Sequence, residues 1–310
     1  MKASFTVAQS ATGHAELAGR LRALKPAPTL IVLEATGVYY LDAAVVLARA
    51  GLALSVINPK SFHHFAKAKL SHAKTDRLDA ALLAEYGERM QPAVWLVPDM
   101  TRMALRDIGR QINRLTHDSV RSKNRLHALV SKSFTPSLLI KDEKAAIVAI
   151  DKRIKTLTTA ALALIKPCPV LSGELAHLDA AVGVAQASAI AILAELCVLP
   201  RSMRANQLSR HAGLDVRVQQ SGSSVNKPAH LSKAGNAYLR AALYMPALSA
   251  CSHDPLVRAF YESLQSRGKK KLQALCAVMR KYLTGFWACL KNDQPFDSSK
   301  LFSPIHLQSA

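Results

Sequence analysis

Residues Thr29–Ile57, TLIVLEATGVYYLDAAVVLARAGLALSVI, decide the fold of the first part of the chain. The apolar run Thr29–Ala35 has the length of a buried strand and ends in a turn. Helical periodicity then extends over Tyr39–Ala50, and Ala53–Ile57 is a second apolar run of strand length. A strand, a helix and a strand within about 30 residues predict a βαβ unit whose parallel strands are buried on both faces.

The next region is predicted to consist of long helices. One helix starts near Asp99, and a Pro-containing break separates it from a second helix over Glu143–Lys166. Two such helices without strands predict an antiparallel hairpin or a coiled-coil connector. Basic residues recur every four positions on the first helix, at Arg102, Arg106, Arg110 and Arg114. This face either covers nucleic acid or is a solvated charged surface, and the total charge favours the first reading.

Pro167 and Pro169 mark the start of a last, mainly helical region. Its pattern predicts a small-residue helix, a mixed loop region over residues 200–235 and two further helices, at Val184–Leu196, Asn236–Ser252 and Leu272–Lys291. The predicted fold class is therefore α/β plus α. We expect an α/β domain over residues 1–96, a helical connector over residues 97–167 and a mainly α domain over residues 168–300.

Composition points to a polyanionic partner. The 310 residues exclude a single small module, and 41 Lys and Arg against 21 Asp and Glu give a net charge of +20. Most of this surplus lies after residue 95. A hydrophobic content of 50% excludes a disordered basic tail, so the charge belongs to a folded protein.

Five cysteines fit no metal-ligand spacing and predict reduced thiols in a cytoplasmic protein. The most apolar stretch, Ala181–Leu199, is interrupted by Gln186, Ser188 and Glu195, which favours a core helix over a membrane span. The first 17 residues contain no apolar run of signal-peptide length. The sequence therefore predicts a soluble intracellular protein that does not enter a membrane.

Three carboxylates are candidates for chemistry. Glu34 ends the first apolar strand, where ligands gather in open α/β sheets, unless that strand stops one residue earlier and leaves Glu34 in solvent. Asp76 and Asp79 share one face of a helix that starts near Thr75, although acidic residues are also favoured there by the helix dipole. Together the three would form an oxygen-rich site that suits Mg²⁺, which can hold a phosphodiester and activate its displacement.

A serine-rich segment, Gln219–Ser224, is the other candidate. Ser221, Ser223 and Ser224 lie between Arg217 and Lys227, and a serine can attack phosphorus when a base or a metal activates it. On composition alone, a flexible surface turn is the favoured reading.

The order of motifs resembles the insertion-sequence one-ten transposase family, which includes the pilin-gene-inverting DNA recombinases. The resemblance covers residues 5–291 and is carried by EATGVYY, VINPK, KTDRLDA, LSRHAGLDVRVQQSG, LSKAGNAYLRAALYM and DPLVRAFYESLQSRGKKKLQALCAVMRKYL.

The resemblance implies a RuvC-like domain of RNase H fold with a DEDD carboxylate set that binds Mg²⁺, then a helical connector and a C-terminal transposase domain with a nucleophilic serine. Family members excise and insert their element by DNA recombination at the nucleoid. Their serine is thought to hold a DNA phosphate covalently, while the carboxylates come from a partner subunit, so a homo-oligomer is implied. Some members use a structured guide RNA. Carried over by motif, Glu34, Asp76 and Asp79 match the metal-binding carboxylates, and Ser221 best matches the serine.

The first Asp of the family lies on an N-terminal strand, in a pattern such as G-I-D-x-S-K, and this sequence has no counterpart. Before Glu34 the chain contains no Asp, and its only acidic residue is Glu16. We therefore expect a domain that lacks its first strand or strands, encoded by a truncated or mis-started reading frame, with an unpaired sheet edge.

Val182-Gly183-Val184 also departs from the family, which tends to have a Pro-Gly-Ile-Gly turn there. This departure puts a contact to the DNA backbone in question.

Two other hypotheses compete with an active transposase. A catalytically inactive truncated copy would act only as a DNA- or RNA-binding protein, with salt-dependent binding and no strand transfer. A structure-selective nuclease like the Holliday-junction resolvases would use the carboxylates and would not need Ser221.

Overall fold

A computed structural model of the chain describes residues 5–35, 37, 39–69, 75–221 and 225–303. This part of the chain is mostly helical and contains two small two-stranded sheets. It divides into two compact units, Met1–Pro98 and Asp99–Ala310. The residues expected to form the connector, 97–167, therefore fall almost entirely in the second unit.

The first unit is built on the predicted βαβ arrangement. Its elements are, in order, α1 (Ala11–Ala23), β1 (Ile31–Glu34), α2 (Tyr39–Arg49), β2 (Leu54–Ile57), α3 (Pro59–Ala68) and α4 (Asp76–Met90). Strands β1 and β2 are parallel, with Ile31 opposite Leu54 and Glu34 opposite Ile57. Leu47 of α2 and Leu54 of β2 are fully buried in the core of this unit.

The edge of this sheet at β2 is covered by a later segment of the chain. The backbone N–H of Trp95 donates to the Leu54 carbonyl at 2.7 Å, and the Ser55 hydroxyl donates to the Ala93 carbonyl. The segment around residues 93–95 therefore lies along the free side of β2. Within the described ranges, β1 has no strand partner other than β2.

The second unit contains eight α-helices and a β-hairpin among its described residues. Its elements are α5 (Met100–Val130), α6 (Ser137–Ile165), α7 (Pro169–Asp179), α8 (Gln186–Leu196), α9 (Ala205–His211), β3 (Val216–Ser221), β4 (Val225–Leu231), α10 (Ala237–His253), α11 (Pro255–Ser266), α12 (Lys271–Asn292) and a 3-10 turn (Ser298–Lys300).

Helices α5 and α6 form the predicted antiparallel hairpin. The Ser119 hydroxyl bonds to the Asp151 carboxylate at 3.0 Å, and Arg125 pairs with Glu143 at 2.9 Å. These contacts join successive residues of α5 to residues in reverse order along α6, so the two helices run in opposite directions. Helix α6 begins at Ser137, six residues before the predicted start.

The core of the second unit surrounds α8. Residues 189–196 of this helix are all buried, which confirms the predicted core helix. Helices α5, α7 and α10 pack against it, and α12 adds a cluster of fully buried aromatic side chains, with Tyr282 and Phe286 at a ring distance of 5.4 Å. Across the described ranges, no helix combines the length and the apolar character that crossing a membrane would require.

The prediction of a mixed loop over residues 200–235 is wrong. This region contains α9 and both strands of the hairpin. The alternation of Val216 and Val218 with polar residues is a strand signal, which the surrounding Ser, Asn and Gly residues obscure. The structure also adds three helices that the pattern did not indicate, α3, α7 and α11, each with a proline in its first turn.

Candidate active site

Glu34 lies at the carboxyl end of β1, as expected. The strand extends through this residue, and the backbone N–H of Ala35 still donates to the Ile57 carbonyl at 3.0 Å. The side chain is half-buried. The alternative in which the strand ends earlier and leaves Glu34 in solvent is therefore wrong.

Asp76 and Asp79 occupy the first turn of α4. Thr75 caps this helix, because its hydroxyl accepts from the N–H of Leu78 at 3.3 Å. Asp76 is exposed and Asp79 is half-buried. The helix packs against β1 so closely that a Cβ atom added at Gly87 would lie 2.6 Å from Cγ2 of Val32. The structure thus places the helix with both aspartates beside the strand with Glu34.

The three carboxylates do not form a complete metal site by themselves. Gly87 of α4 contacts Val32 of β1. Asp79 lies about 12 Å from Gly87 along the helix, and Glu34 lies about 7 Å from Val32 along the strand. In the part of the chain that the structure describes, no three His, Cys, Asp or Glu side chains are close enough to hold a metal ion. The donors suit Mg²⁺ in kind, yet their number at any one point is too small without oxygens from elsewhere.

Ser221 is the last residue of β3 and lies opposite Val225 of β4. It therefore belongs to a hairpin strand, next to the connection of the hairpin. Ser223 and Ser224 lie outside the described residues. The exposed side chains of Val216 and Val218 show that β3 projects from the unit.

The base of the hairpin is held by two interlocked turns. Gly213 has a φ of +66°. A Cβ atom added at Gly235 would lie 2.3 Å from the carbonyl oxygen of His211 and 2.6 Å from the backbone nitrogen of Gly213. The N–H of Lys233 donates to the Gly213 carbonyl at 3.1 Å, and Arg240 donates to the Ala212 carbonyl at 2.8 Å. The motifs LSRHAGLD and LSKAGN thus form one support for the strand that ends at Ser221.

A buried carboxylate network lies beneath this support. Glu195 of α8 is 2% exposed and accepts two hydrogen bonds from Arg110, at 2.5 and 3.0 Å, and one from the Asn236 amide at 2.5 Å. Asn236 also caps α10 through the N–H of Leu239, at 3.0 Å. The bond to Glu195 raises the pKa of Arg110, whereas burial lowers the pKa of the nearby His211. The network joins α5, α8 and α10 at a point that sequence reasoning missed.

The prediction that the arginines from Arg102 to Arg114 form one basic surface is wrong. Arg102 donates to the Cys197 carbonyl at 2.7 Å, and Arg110 pairs with Glu195, so both contact the core helix α8. Arg114 is exposed. Each step of four residues turns about 40° beyond a full helical turn, which places Arg114 about 120° around the helix from Arg102. Arg102 and Arg110 are therefore structural residues.

Two buried cysteines, Cys197 and Cys251, are unsuited to nucleophilic attack. All five cysteines are free thiols. Burial raises the pKa of Cys197 to about 12 and that of Cys251 to about 11. Since the thiolate is the reactive form, these side chains are inert at neutral pH.

Comparison with known proteins identifies both halves of the chain. A family model described as "Transposase", of the DEDD type found in IS110 elements, matches residues 2–135. A second model, "Transposase IS116/IS110/IS902 family", matches residues 175–262 and so includes the hairpin.

Several relatives span much of the chain. It is 29% identical over 270 residues to the pilin gene-inverting proteins of Moraxella bovis and Moraxella lacunata, which is 86% of this chain and 81% of each of them. It is 25% identical over 198 residues to an uncharacterized 43.6 kDa protein of insertion element IS110 from Streptomyces coelicolor, which is 64% of this chain and 47% of that protein. With both family models matched in order along one chain, the protein belongs to the IS110 family of transposases, which are DNA-recombining enzymes.

Proposed function

We propose that this protein excises and inserts an insertion sequence by cleaving and rejoining DNA through Ser221. The observation that carries the proposal is the position of Ser221 at the end of a projecting strand whose base is fixed by the Gly213 and Gly235 turns. A nucleophile in this position can reach a DNA backbone outside the unit, while the support beneath it limits its freedom to move.

The proposed reaction is a pair of phosphoryl transfers. The Ser221 hydroxyl oxygen forms a bond to a DNA phosphorus, and the bond from that phosphorus to a deoxyribose oxygen breaks. The proton of the serine leaves to solvent or a base, and the departing deoxyribose oxygen takes up a proton. A hydroxyl of another DNA end then loses its proton and attacks the phosphorus of the phosphoserine. The bond from that phosphorus to the serine oxygen breaks, the serine oxygen takes up a proton, and the strands are joined. The energy of the broken bond is thereby conserved.

We assign Glu34, Asp76 and Asp79 to the metal-binding carboxylates of an RNase H-like domain. Mg²⁺ is commonly held by one or two carboxylates together with substrate phosphates, so DNA oxygens would supply ligands that the described residues do not gather. When bound, the ion would stabilise negative charge on the reacting phosphate. The half-buried Glu34 and Asp79 are the best placed of the three to hold it.

DNA is the proposed substrate, and a structured guide RNA is a candidate partner by family resemblance. The net charge of +20 supports binding to either polyanion. Arg102 and Arg110 of α5 are bound to core groups. We therefore assign nucleic-acid binding by the connector to the exposed Arg114 and Arg121.

We also propose that the protein acts as a homo-oligomer through the tip of the α5–α6 hairpin. Phe134 is 97% exposed there, and Leu138 is 73% exposed. Apolar side chains of this size at a loop tip favour contact with a second copy. Phe134→Asp should lower the mass measured by light scattering, whereas an unchanged mass would contradict this assignment.

The test of the serine is covalent trapping on a plasmid that carries the reading frame and its flanking DNA. Ser221→Ala should abolish both the protein–DNA adduct and strand rejoining, and Ser252→Ala, which changes an exposed serine of α10 in the same unit, should preserve both. Adducts that persist in Ser221→Ala would contradict the proposal.

An inactive DNA- or RNA-binding copy remains the second candidate. The observation in its favour is the incomplete set of metal donors among the described residues. It predicts salt-dependent binding to DNA with no adduct and no rejoining, with Mg²⁺ present or absent.

A further inference from the structure

The second unit has a cleft of 520 Å³ between α5 and the start of α10, and Ser221 is not among the residues that line it. Basic and polar side chains of α5 form one wall, and an aromatic ring and small residues of α10 form the other. The residues that matter are Arg114, His117, Asp118, Arg121, Tyr238 and Ala241.

The guanidinium of Arg114 is oriented by hydrogen bonds to neutral side chains. Its guanidinium donates to the Gln111 side chain at 2.9 and 2.6 Å and to the Tyr238 hydroxyl at 3.2 Å. These partners are neutral, and the side chain is exposed. A guanidinium that is oriented by neutral groups is prepared to bind an anion, and phosphate matches its planar donors.

The Tyr238 ring is fixed by two cations. The Cζ atoms of Arg110 and Arg114 lie 5.0 and 6.0 Å from its centroid, and Arg110 is itself anchored on Glu195. The amide of Asn113 donates to the Tyr238 carbonyl at 3.3 Å. Because the ring is already ordered, an apolar ligand that packs against it and Ala241 does not bear the cost of ordering it.

Arg121 provides a second cation about two helical turns along α5 from Arg114. It bonds to Asp118, and the two side chains are 71% and 41% exposed. An exposed ion pair of this kind contributes little to stability, so a phosphate can replace the carboxylate at small cost. Together with Arg114 it spaces two anion-binding groups along one wall of the cleft.

We propose that this cleft binds one unpaired nucleotide of a nucleic acid strand. The base or sugar packs on Tyr238 and Ala241, and the flanking phosphates contact Arg114 and Arg121. The volume suits a ligand of nucleotide size, while a double helix is too wide to enter. The inference rests on the proposed function in that the enzyme handles nucleic acid, and it adds a second contact point that distinguishes single strands from duplexes.

The phosphate contacts are tested by fluorescence anisotropy without divalent ions, using a labelled single strand of about twelve nucleotides and the matching duplex. The variant Arg114→Gln/Arg121→Gln should weaken single-strand binding about tenfold and reduce the salt slope by about 1.4, since each phosphate contact contributes about 0.7. The matched control, Lys152→Gln/Arg153→Gln, removes two exposed charges from α6 and should have a smaller effect.

The packing contact is tested by Tyr238→Leu, with Tyr244→Leu of the same helix as its control. Loss of base stacking should weaken single-strand binding about five- to 150-fold in the first variant, with little change in the second. Tyr238→Phe keeps the ring and should bind more tightly than Tyr238→Leu, which separates packing from a folding defect. Far-ultraviolet circular dichroism confirms that each variant is folded.

Equal losses in the cleft variants and their controls would overturn the proposal, as would an equal loss for the duplex. DNA and RNA single strands of one sequence identify the source of the nucleotide, because a 2′-hydroxyl preference marks RNA. Strand binding that depends on the cleft, together with an active Ser221→Ala variant, would leave this inference standing while the serine proposal fails. Strand binding that does not depend on the cleft, together with an inactive Ser221→Ala variant, would leave only the serine proposal.

Discussion

Replacement of Arg110 by Met should destabilise the second unit strongly. Glu195 is 3% exposed at its side chain and would keep only the Asn236 amide as a partner among the contacts described for it. Breaking one side of a buried ion pair costs about 3–5 kcal/mol, because an uncompensated charge stays buried. For a unit of this size, that corresponds to roughly 6–20 °C in Tm.

The assay is urea unfolding followed by Trp fluorescence in a Trp95→Phe background. The chain has two tryptophans, so Trp287 then reports on the second unit alone. Arg153→Met, an exposed arginine of α6, is the control and should change the free energy of unfolding by less than about 0.5 kcal/mol.

A double-mutant cycle completes this test. Arg110→Met/Glu195→Met removes both charges, and the free energy of unfolding should recover by about 3–5 kcal/mol relative to Arg110→Met, to near that of the unsubstituted protein. Additive losses in the double variant, or a loss no larger than that of Arg153→Met, would refute the assignment of this pair as the anchor beneath the hairpin.

Three further predictions follow from close contacts and from burial. Gly235→Ala should lower the free energy of unfolding by about 1–3 kcal/mol, because the new Cβ meets backbone atoms that cannot rotate away. Gly173→Ala, where the new Cβ meets open space, is the control and should not destabilise the protein. Equal unfolding midpoints for the two variants would contradict this prediction. Gly87→Ala should likewise destabilise the first unit, with Gly19→Ala as control, because its Cβ would meet Val32 at 2.6 Å. Burial lowers the pKa of His211, so the folded state favours the neutral ring. The contribution of the neutral His211 ring to the free energy of unfolding is therefore fully present above the unfolded-state pKa near 6.5 and is lost as the pH falls through the lower folded-state pKa. His211→Gln should therefore flatten the decline of stability below that pH in urea titrations, and an unchanged pH profile would contradict the argument.

The βαβ part of the first unit could be predicted well because its pattern is local. The apolar runs around Val32 and Val56 and the helix between them define the βαβ unit, and Glu34 was correctly placed at the strand end. Where the carboxylates lie relative to one another depends on how α4 crosses β1 at Gly87. That packing is set by contacts distant in the sequence, which periodicity does not report.

The second unit shows two different failures of sequence reasoning. The repeat from Arg102 to Arg114 suggested one surface, but a spacing of four drifts around the helix, and Glu195 needed a buried partner. The hairpin was missed because loop-forming residues outweighed the alternation at Val216 and Val218. Glu195 itself interrupts an apolar helix, and a charge within such a pattern is the signal that could have indicated a buried network.

Covalent capture of DNA by Ser221 tests the central claim most directly. The full chain is incubated with its flanking DNA and Mg²⁺, quenched under denaturing conditions, digested with protease and analysed by mass spectrometry for a nucleotide-bearing peptide. The account predicts a phosphodiester on Ser221, absent in Ser221→Ala and retained in Ser252→Ala. Cleaved and rejoined DNA with no adduct, or with the adduct on another residue, would contradict it.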